Sequence, residues 1–464
     1  MSGNFGFGFA PQDPDDDKNK GDQGFDMSSL GSALEALGRM MQSGESSGPI
    51  NWDLARQNAR QSPAQKDDSG VTDPERAAVV DAVRLANLWL DESESFSATN
   101  TAAVSWSRGE WVEGTFPAWE RIISPVAEQW QATLGGVMGG EGLAGLTGEL
   151  PPGLAEGMPE GFPSDMSQFQ DMLGPITGMM TQMVGAMLGS QVGQGLGLLS
   201  GEVLSVSDIG LSLTSNGEPT LLPRNVNVFA DGIGVPRQEV LLYIAIRECA
   251  HQRLYSHVPW LRSRLEDAVA AYSKGIHIDT EAMQRAMEQV DPNNPQAMQE
   301  ALSGGIFEQK DSPEQRAALA RLETILALVE GWVDHVVNAA VADRVPTMTQ
   351  LNEAMRRRRA AGGPAEKTFA TLVGLELRPR RMREAAEFWA KSDADRGVSG
   401  RDGLWEHPDL LPTAEDLDDL PSYWERDSAM RGLTESLEAE LAQAADADAE
   451  NDVKESSDDE KPDN

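Results

Sequence analysis

The sequence has a single cysteine, Cys249, among 464 residues, so no disulfide can form within the chain. Such a chain suits a reducing compartment. Histidine is nearly as scarce, with five in all, so each can be weighed by itself as a ligand or proton carrier. Basic residues are few: 38 Lys and Arg stand against 75 Asp and Glu, a formal net charge of -37. Six acids and two bases lie in residues 1–26, and twelve acids and two bases in 434–464. What remains still leaves the body strongly acidic. That charge argues against nucleic acid and against a membrane surface as partners. The start, MSGNFGFGFAPQDPDDDKNK, lacks a basic n-region and an apolar h-region, so it is not a secretory signal. A cytoplasmic protein is expected.

Strand signals are sparse too. Leu211–Thr214 and Thr220–Leu222 flank Ser215-Asn216-Gly217-Glu218, a hairpin signal, and Asn225–Phe229 alternates as a half-buried strand would. Nearly everything else with a pattern is helical, so the expected fold class is mainly α with a small β-sheet. Residues 1–26 are Gly-, Asp- and Asn-rich and are expected to be disordered. Residues 27–200 read as a helical region, with helices near 27–43, over 74–92 and over 117–134, and a Gly/Pro-rich loop at 135–165. Residues 201–430 carry a helix at 236–257 and another at 313–343. Residues 434–464 form an acidic tail, expected to be disordered after a helical start.

Two segments invite functional readings that composition argues against. Gly185, Gly189, Gly193 and Gly197 recur every four residues and form a stripe on one helix face, which lets another backbone come close. Gln182, Gln191 and Gln194 interrupt the apolar run, so a buried central helix is expected rather than a membrane span. The run Arg356-Arg357-Arg358-Arg359 resembles a nucleic-acid patch, but in so acidic a chain it reads as a solvated or acid-paired face.

The chemistry concentrates at Arg247-Glu248-Cys249-Ala250-His251. Zinc peptidases use His-Glu-x-x-His on a helix. Its two histidines share one face as metal ligands, and the Glu activates a metal-bound water. Here Glu248 and His251 keep the base and the second ligand. Arg247 stands at the first ligand, and a guanidinium stays protonated and cannot ligate. On the second helix Glu330 and Asp334 form Glu-x-x-x-Asp at the edge of an apolar face. A carboxylate at a buried edge needs a cation or donors. In zinc peptidases of the Glu type such a Glu is the third ligand, and an Asp four residues on supports a ligand His. An exposed Glu with an ordinary intrahelical pair is the plainer alternative. His257 has the spacing of a third histidine ligand, but only if the helix breaks near Leu254, where no Gly stands. His277, His335 and His407 read as surface or structural residues, and Cys249 as core filler.

Around these residues the chain resembles a known family, the actinobacterial zincin-like proteins described as hydrolases or zinc-dependent metalloproteases. One branch of that family is associated by name with deazaflavin coenzyme biosynthesis. The resemblance spans roughly 50–430. It rests on Asn51-Trp52-Asp53-Leu54-Ala55-Arg56, Arg84-Leu85-Ala86-Asn87-Leu88-Trp89, Arg108-Gly109-Glu110-Trp111, Leu222-Pro223-Arg224-Asn225, Arg247–His251 with Val258-Pro259-Trp260, Glu330-Gly331-Trp332-Val333-Asp334-His335, and Leu404-Trp405-Glu406-His407-Pro408. It implies a zincin-like metalloprotease fold and hydrolysis of a peptide or amide bond in a peptide or protein substrate. By that resemblance Glu248 is the general base, His251 and Glu330 are zinc ligands, and Asp334 lies behind them. Arg247 departs from the zinc pattern. Two readings stay open: a zinc-dependent hydrolase with an altered first ligand, and a non-catalytic scaffold in which Arg247 bridges Glu248 and Glu330.

Overall fold

The computed structural model describes residues 48–65, 68–139, 166–214, 216–274, 312–341, 344–360 and 381–458. All of them belong to one unit, Gly48–Asn464. The expected helix at 27–43, the acidic N-terminus, most of the Gly/Pro-rich loop and His277 lie outside the described residues.

Helix α1, Trp52–Gln65, and α2, Asp73–Leu90, come first. α2 starts where its sequence signals it should. Glu75 accepts from the Thr72 backbone N–H at 2.9 Å, and Pro74 sits in the first turn, where an amide N–H has no helical partner anyway. Strand β1, Val104–Ser105, leads into α3, Arg108–Gly139. α3 begins earlier than the pattern suggests, because Arg108-Gly109-Glu110 already forms its first turn. Next comes α4, Met166–Ser200. Its glycine stripe packs on α1, and the sequence shows why. A Cβ on Gly189 would meet the Asn51 carbonyl oxygen, one on Gly193 that of Ala55, and one on Gly197 the side chain of Ser62. Only glycine allows two helix backbones to approach this closely.

Strand β2, Thr220–Leu221, pairs in parallel with β1, Val104 opposite Thr220 and Ser105 opposite Leu221. Among the described residues the expected hairpin is absent, and β2 finds its partner more than a hundred residues back. The expected strand at 225–229 is also corrected. It lies in helix α5, Pro223–Ile233. Pro223 fixes the first turn, and Leu222, Val226 and Ala230, four apart, are buried along one face. The polar Asn225 between them is buried as well, held by its amide donating to the carbonyls of Ser200 and Val203.

The centre of the core is α6, Arg237–His257, packed with α8, Pro313–Val341, and flanked by α2, by α7 (Pro259–Lys274) and by α10 (Met382–Asp402). α9, Met348–Ala360, precedes α10. Both α6 and α8 are buried nearly all round, which is why neither shows a clean one-sided apolar stripe. α8 is long and apolar enough to cross a membrane, but most of it is buried inside the protein, as in a core helix. Two short 3₁₀ turns and α11, Ala414–Asp418, lead to α12, Leu420–Asp458. The acidic segment, expected to start as helix, is helical through Asp458.

Candidate functional site

α6 and α8 bring the motif residues to the acidic pair. Arg247, Glu248, His251 and Glu330 are 4, 0, 2 and 5 % exposed, so every charge among them needs a partner. His251 Nδ1 lies 2.8 Å from the Arg247 carbonyl oxygen. That oxygen can only accept, so Nδ1 carries a proton and donates. Nε2 is thereby turned to Glu330, 3.1 Å from Oε1. This orientation is the one a histidine adopts as a metal ligand, its other ring N–H fixed by a carbonyl.

The rest of the surroundings are cationic. Arg247 Nη2 donates to Glu330 Oε2 at 2.8 Å, and Nη1 reaches Asp334 Oδ1 at 3.4 Å. Arg359, from α9, lies 2.5 Å from the same Glu330 Oε2 through Nη1. Gly210, with φ +77°, presents its bare Cα to Glu330, and a Cβ there would sit 3.1 Å from Oε1. Burial opposes the charge of Glu330, yet Arg359, His251 and Arg247 hold its carboxyl well below the usual carboxylate range. Burial likewise works against Arg247, but the Tyr243 hydroxyl and the carboxylates of Glu330 and Asp334 keep it more firmly protonated than a free guanidinium. The Tyr243 ring lies 5.9 Å from the guanidinium carbon, within cation–π reach.

Glu248 faces another environment. Its carboxylate accepts from the Ser207 N–H at 3.0 Å, from Gln252 Nε2 at 2.8 Å and from the Thr220 N–H at 3.4 Å. It ties the loop after α4 and strand β2 to α6. No ion pair reaches it among the described residues, and burial pushes its carboxyl up. The expected bridge from Arg247 to Glu248 is therefore corrected. Successive side chains leave a helix about 100° apart, so a group at 247 cannot face both ways. Arg247 bridges Glu330 and Asp334 instead. Asp334 does not stand behind His251. It takes Arg247 on one oxygen and Arg356, at 3.7 Å, and Asn338 on the other.

His257 is not brought to the site. α6 runs unbroken to its end, and the ring stacks on Phe96 and lies 3.2 Å from Ser97 Oγ. His335 pairs with Asp393, and His407 accepts from the Asp409 N–H at a 3₁₀ turn. Cys249 is buried with its thiol pushed up, the environment of an unreactive cysteine. Arg359 is the residue that sequence reasoning missed. Its signal was the arginine run, whose members prove acid-paired: Arg356 with Asp334, Arg357 with Glu353, Arg358 with Asp208 and Arg359 with Glu330.

A catalytic zinc site needs three protein ligands converging on one point and a free fourth position. Two of the expected donors, His251 Nε2 and Glu330, do converge. The third place holds a guanidinium, and Glu330 already receives two arginines and the histidine. Among the described residues no group of three or more His, Cys, Asp or Glu side chains could hold a metal ion. In this arrangement the residues do not fit zinc.

The sequence pattern of the zincin-like metallopeptidase family matches residues 50–424. At the level of the family this supports a hydrolase-like function. No protein of curated function matches the chain. A crystal structure from Chloroflexus aurantiacus, described as a "putative hydrolase with a novel fold", is similar with a TM-score of 0.53 and 19% identity. The likeness covers 82% of this chain and 99% of that one, and at such identity it is a likeness of fold.

Proposed function

We propose that this chain, which belongs to the zincin-like metallopeptidase family, is a metal-free member in which the Arg247 guanidinium stands where the zinc charge would be, and that it serves as a binding scaffold rather than as a zinc peptidase. The observation that carries this reading is the engagement of Glu330. Its carboxylate is closed on one side by Arg247 at 2.8 Å and by Arg359, and on the other by His251 at 3.1 Å. Releasing such a buried carboxylate to another cation would leave Arg247 and Arg359 charged and unpaired, an outcome costing several kcal/mol, roughly 3–5 for a broken buried pair. The position of Glu248 supports the same reading. Its carboxylate serves the loop and strand rather than the face shared by His251 and Glu330.

One observation favours a second reading, a hydrolase acting on a peptide or amide bond. His251 retains the carbonyl-fixed orientation of a ligand histidine. The two readings separate in an assay of the full chain against a mixed peptide library, with and without added zinc. The scaffold reading expects no cleavage in either case. Zinc-dependent cleavage that is lost in both Glu248→Gln and His251→Ala would overturn it.

A further inference from the structure

Helix α12 is seated in the body only at its base. Trp424 stacks on Phe388 of α10, ring centroids 5.3 Å apart, and Tyr423 meets the same ring edge-on. From Ser428 to Gln443 every described residue except Arg431 is exposed. A helix without tertiary contacts is marginal in water. This stretch also carries what a purely solvated helix does not need. Met430, Leu433, Leu437 and Leu441 are each 60–69 % exposed. They stand three, four and four residues apart, so they fall within about 80° of one helix face. Four large apolar groups in one exposed row mark a docking face rather than scattered surface residues.

The charges beside the row say what covers it. Arg431 and Glu438 are seven residues apart, two turns, and lie on the same side of the row, while Glu440 lies on the other. Two antiparallel helices related by a twofold axis set like sides together, and the start of each against the end of the other. Met430 then lies beside Leu441 of the second copy and Leu433 beside its Leu437. Arg431 comes within reach of its Glu438, and the symmetry makes this pair twice. A parallel pair would bring Glu438 beside Glu440 of the second copy, two like charges. Arg431 is placed for the antiparallel contact. Its Nε lies 3.0 Å from Asp427 Oδ2, but Arg396 already holds that oxygen at 2.6 Å. Arg431 can therefore turn its outer nitrogens to a second carboxylate. The helix carries both charges that the contact needs, so a second copy of this chain suffices as the partner.

We infer that α12 pairs antiparallel with α12 of a second copy of this chain, through the row from Met430 to Leu441. The contact spans only about three turns. The dimer is therefore weak, with a dissociation constant on the order of 10 μM. The inference goes beyond the metal-free reading and does not rest on it, since no residue of the row belongs to the ion cluster around Glu330.

The test is sedimentation equilibrium of the full chain from about 1 to 200 μM. The mass should rise from that of one chain to that of two. Leu437→Asn should raise the dissociation constant at least about tenfold, because the twofold axis removes the side chain twice. Leu437 is exposed, so the fold of the single chain does not depend on it. Arg431→Glu and Glu438→Arg should each weaken the dimer, and the two together in one chain should restore it. Oxidation of Met430→Cys chains mixed with Leu441→Cys chains should join unlike chains, since the native Cys249 is buried. The mass of a single chain at every concentration would overturn the inference. It would do so even if an added basic amphipathic peptide then bound the row, because the face would belong to another partner. A dimer unaffected by Leu437→Asn, or disulfides only between like Met430→Cys chains, would overturn it as well.

Discussion

Glu248 and Glu330 are both buried carboxylates at the heart of the fold, and their surroundings push them in opposite directions. Glu330 meets Arg247, Arg359 and His251 and is held far down the carboxylate range. Glu248 meets backbone N–H groups, Ser207 and Gln252, and burial raises it. In a zinc peptidase the residues at these two positions serve one reaction centre. Here the centre is divided. One half is an ion cluster joining α6, α8 and α9, and the other is a neutral-donor tie from α6 to the loop and β2. On the scaffold reading proposed above, the motif keeps its acid and the acid ties the loop and β2 to α6.

The largest effect separating the two halves is expected at Glu330. Glu330→Gln leaves two buried guanidinium groups without their shared acceptor and should cost about 3–5 kcal/mol in a denaturant titration. A loss below about 1 kcal/mol would mean that the cluster is not the stabilising element described. Arg247→Met should come next, at about 2 kcal/mol, because Glu330 keeps Arg359 and His251. Glu248→Gln should cost less, about 1 kcal/mol, since it removes no ion pair and turns one amide N–H toward existing donors.

The subtlest contrast is in pH dependence. The Glu330 carboxyl is depressed on folding, so its stabilisation is complete above its unfolded value, near 4.3, and is lost as pH falls through the folded value. The Glu248 carboxyl is raised, so its contribution is complete below about 4.3 and is lost as pH rises through the folded value. The stability gap between wild type and Glu330→Gln should therefore narrow toward acid. The gap for Glu248→Gln should narrow toward neutral pH. Parallel slopes for the two variants would erase the division.

Much of this arrangement was legible in the sequence. The motif helix, the long second helix and the pairing of their residues follow from Arg247–His251 and from Glu330 with Asp334. The glycine stripe was legible because a four-residue repeat has one geometric use, close backbone approach. The direction of Glu248 was not legible, since its partners Ser207 and Thr220 come from a loop and a two-residue strand with no periodic signal. Arg359 was hidden for another reason. Four consecutive arginines look alike in sequence, and only the packing of α9 decides that Arg359 meets Glu330 while Arg358 meets Asp208. The segment 225–229 shows the same limit, because alternation over five residues was outweighed by Pro223 and by the four-residue spacing of Leu222, Val226 and Ala230.

The central claim is that a guanidinium has taken the metal's place, and elemental analysis of the full chain purified without chelators addresses it most directly. Wild type should carry zinc only at background level, and Arg247→His, which frees Glu330 on one side and adds an imidazole, should carry more. Near-stoichiometric zinc in wild type that disappears in His251→Ala would contradict the claim.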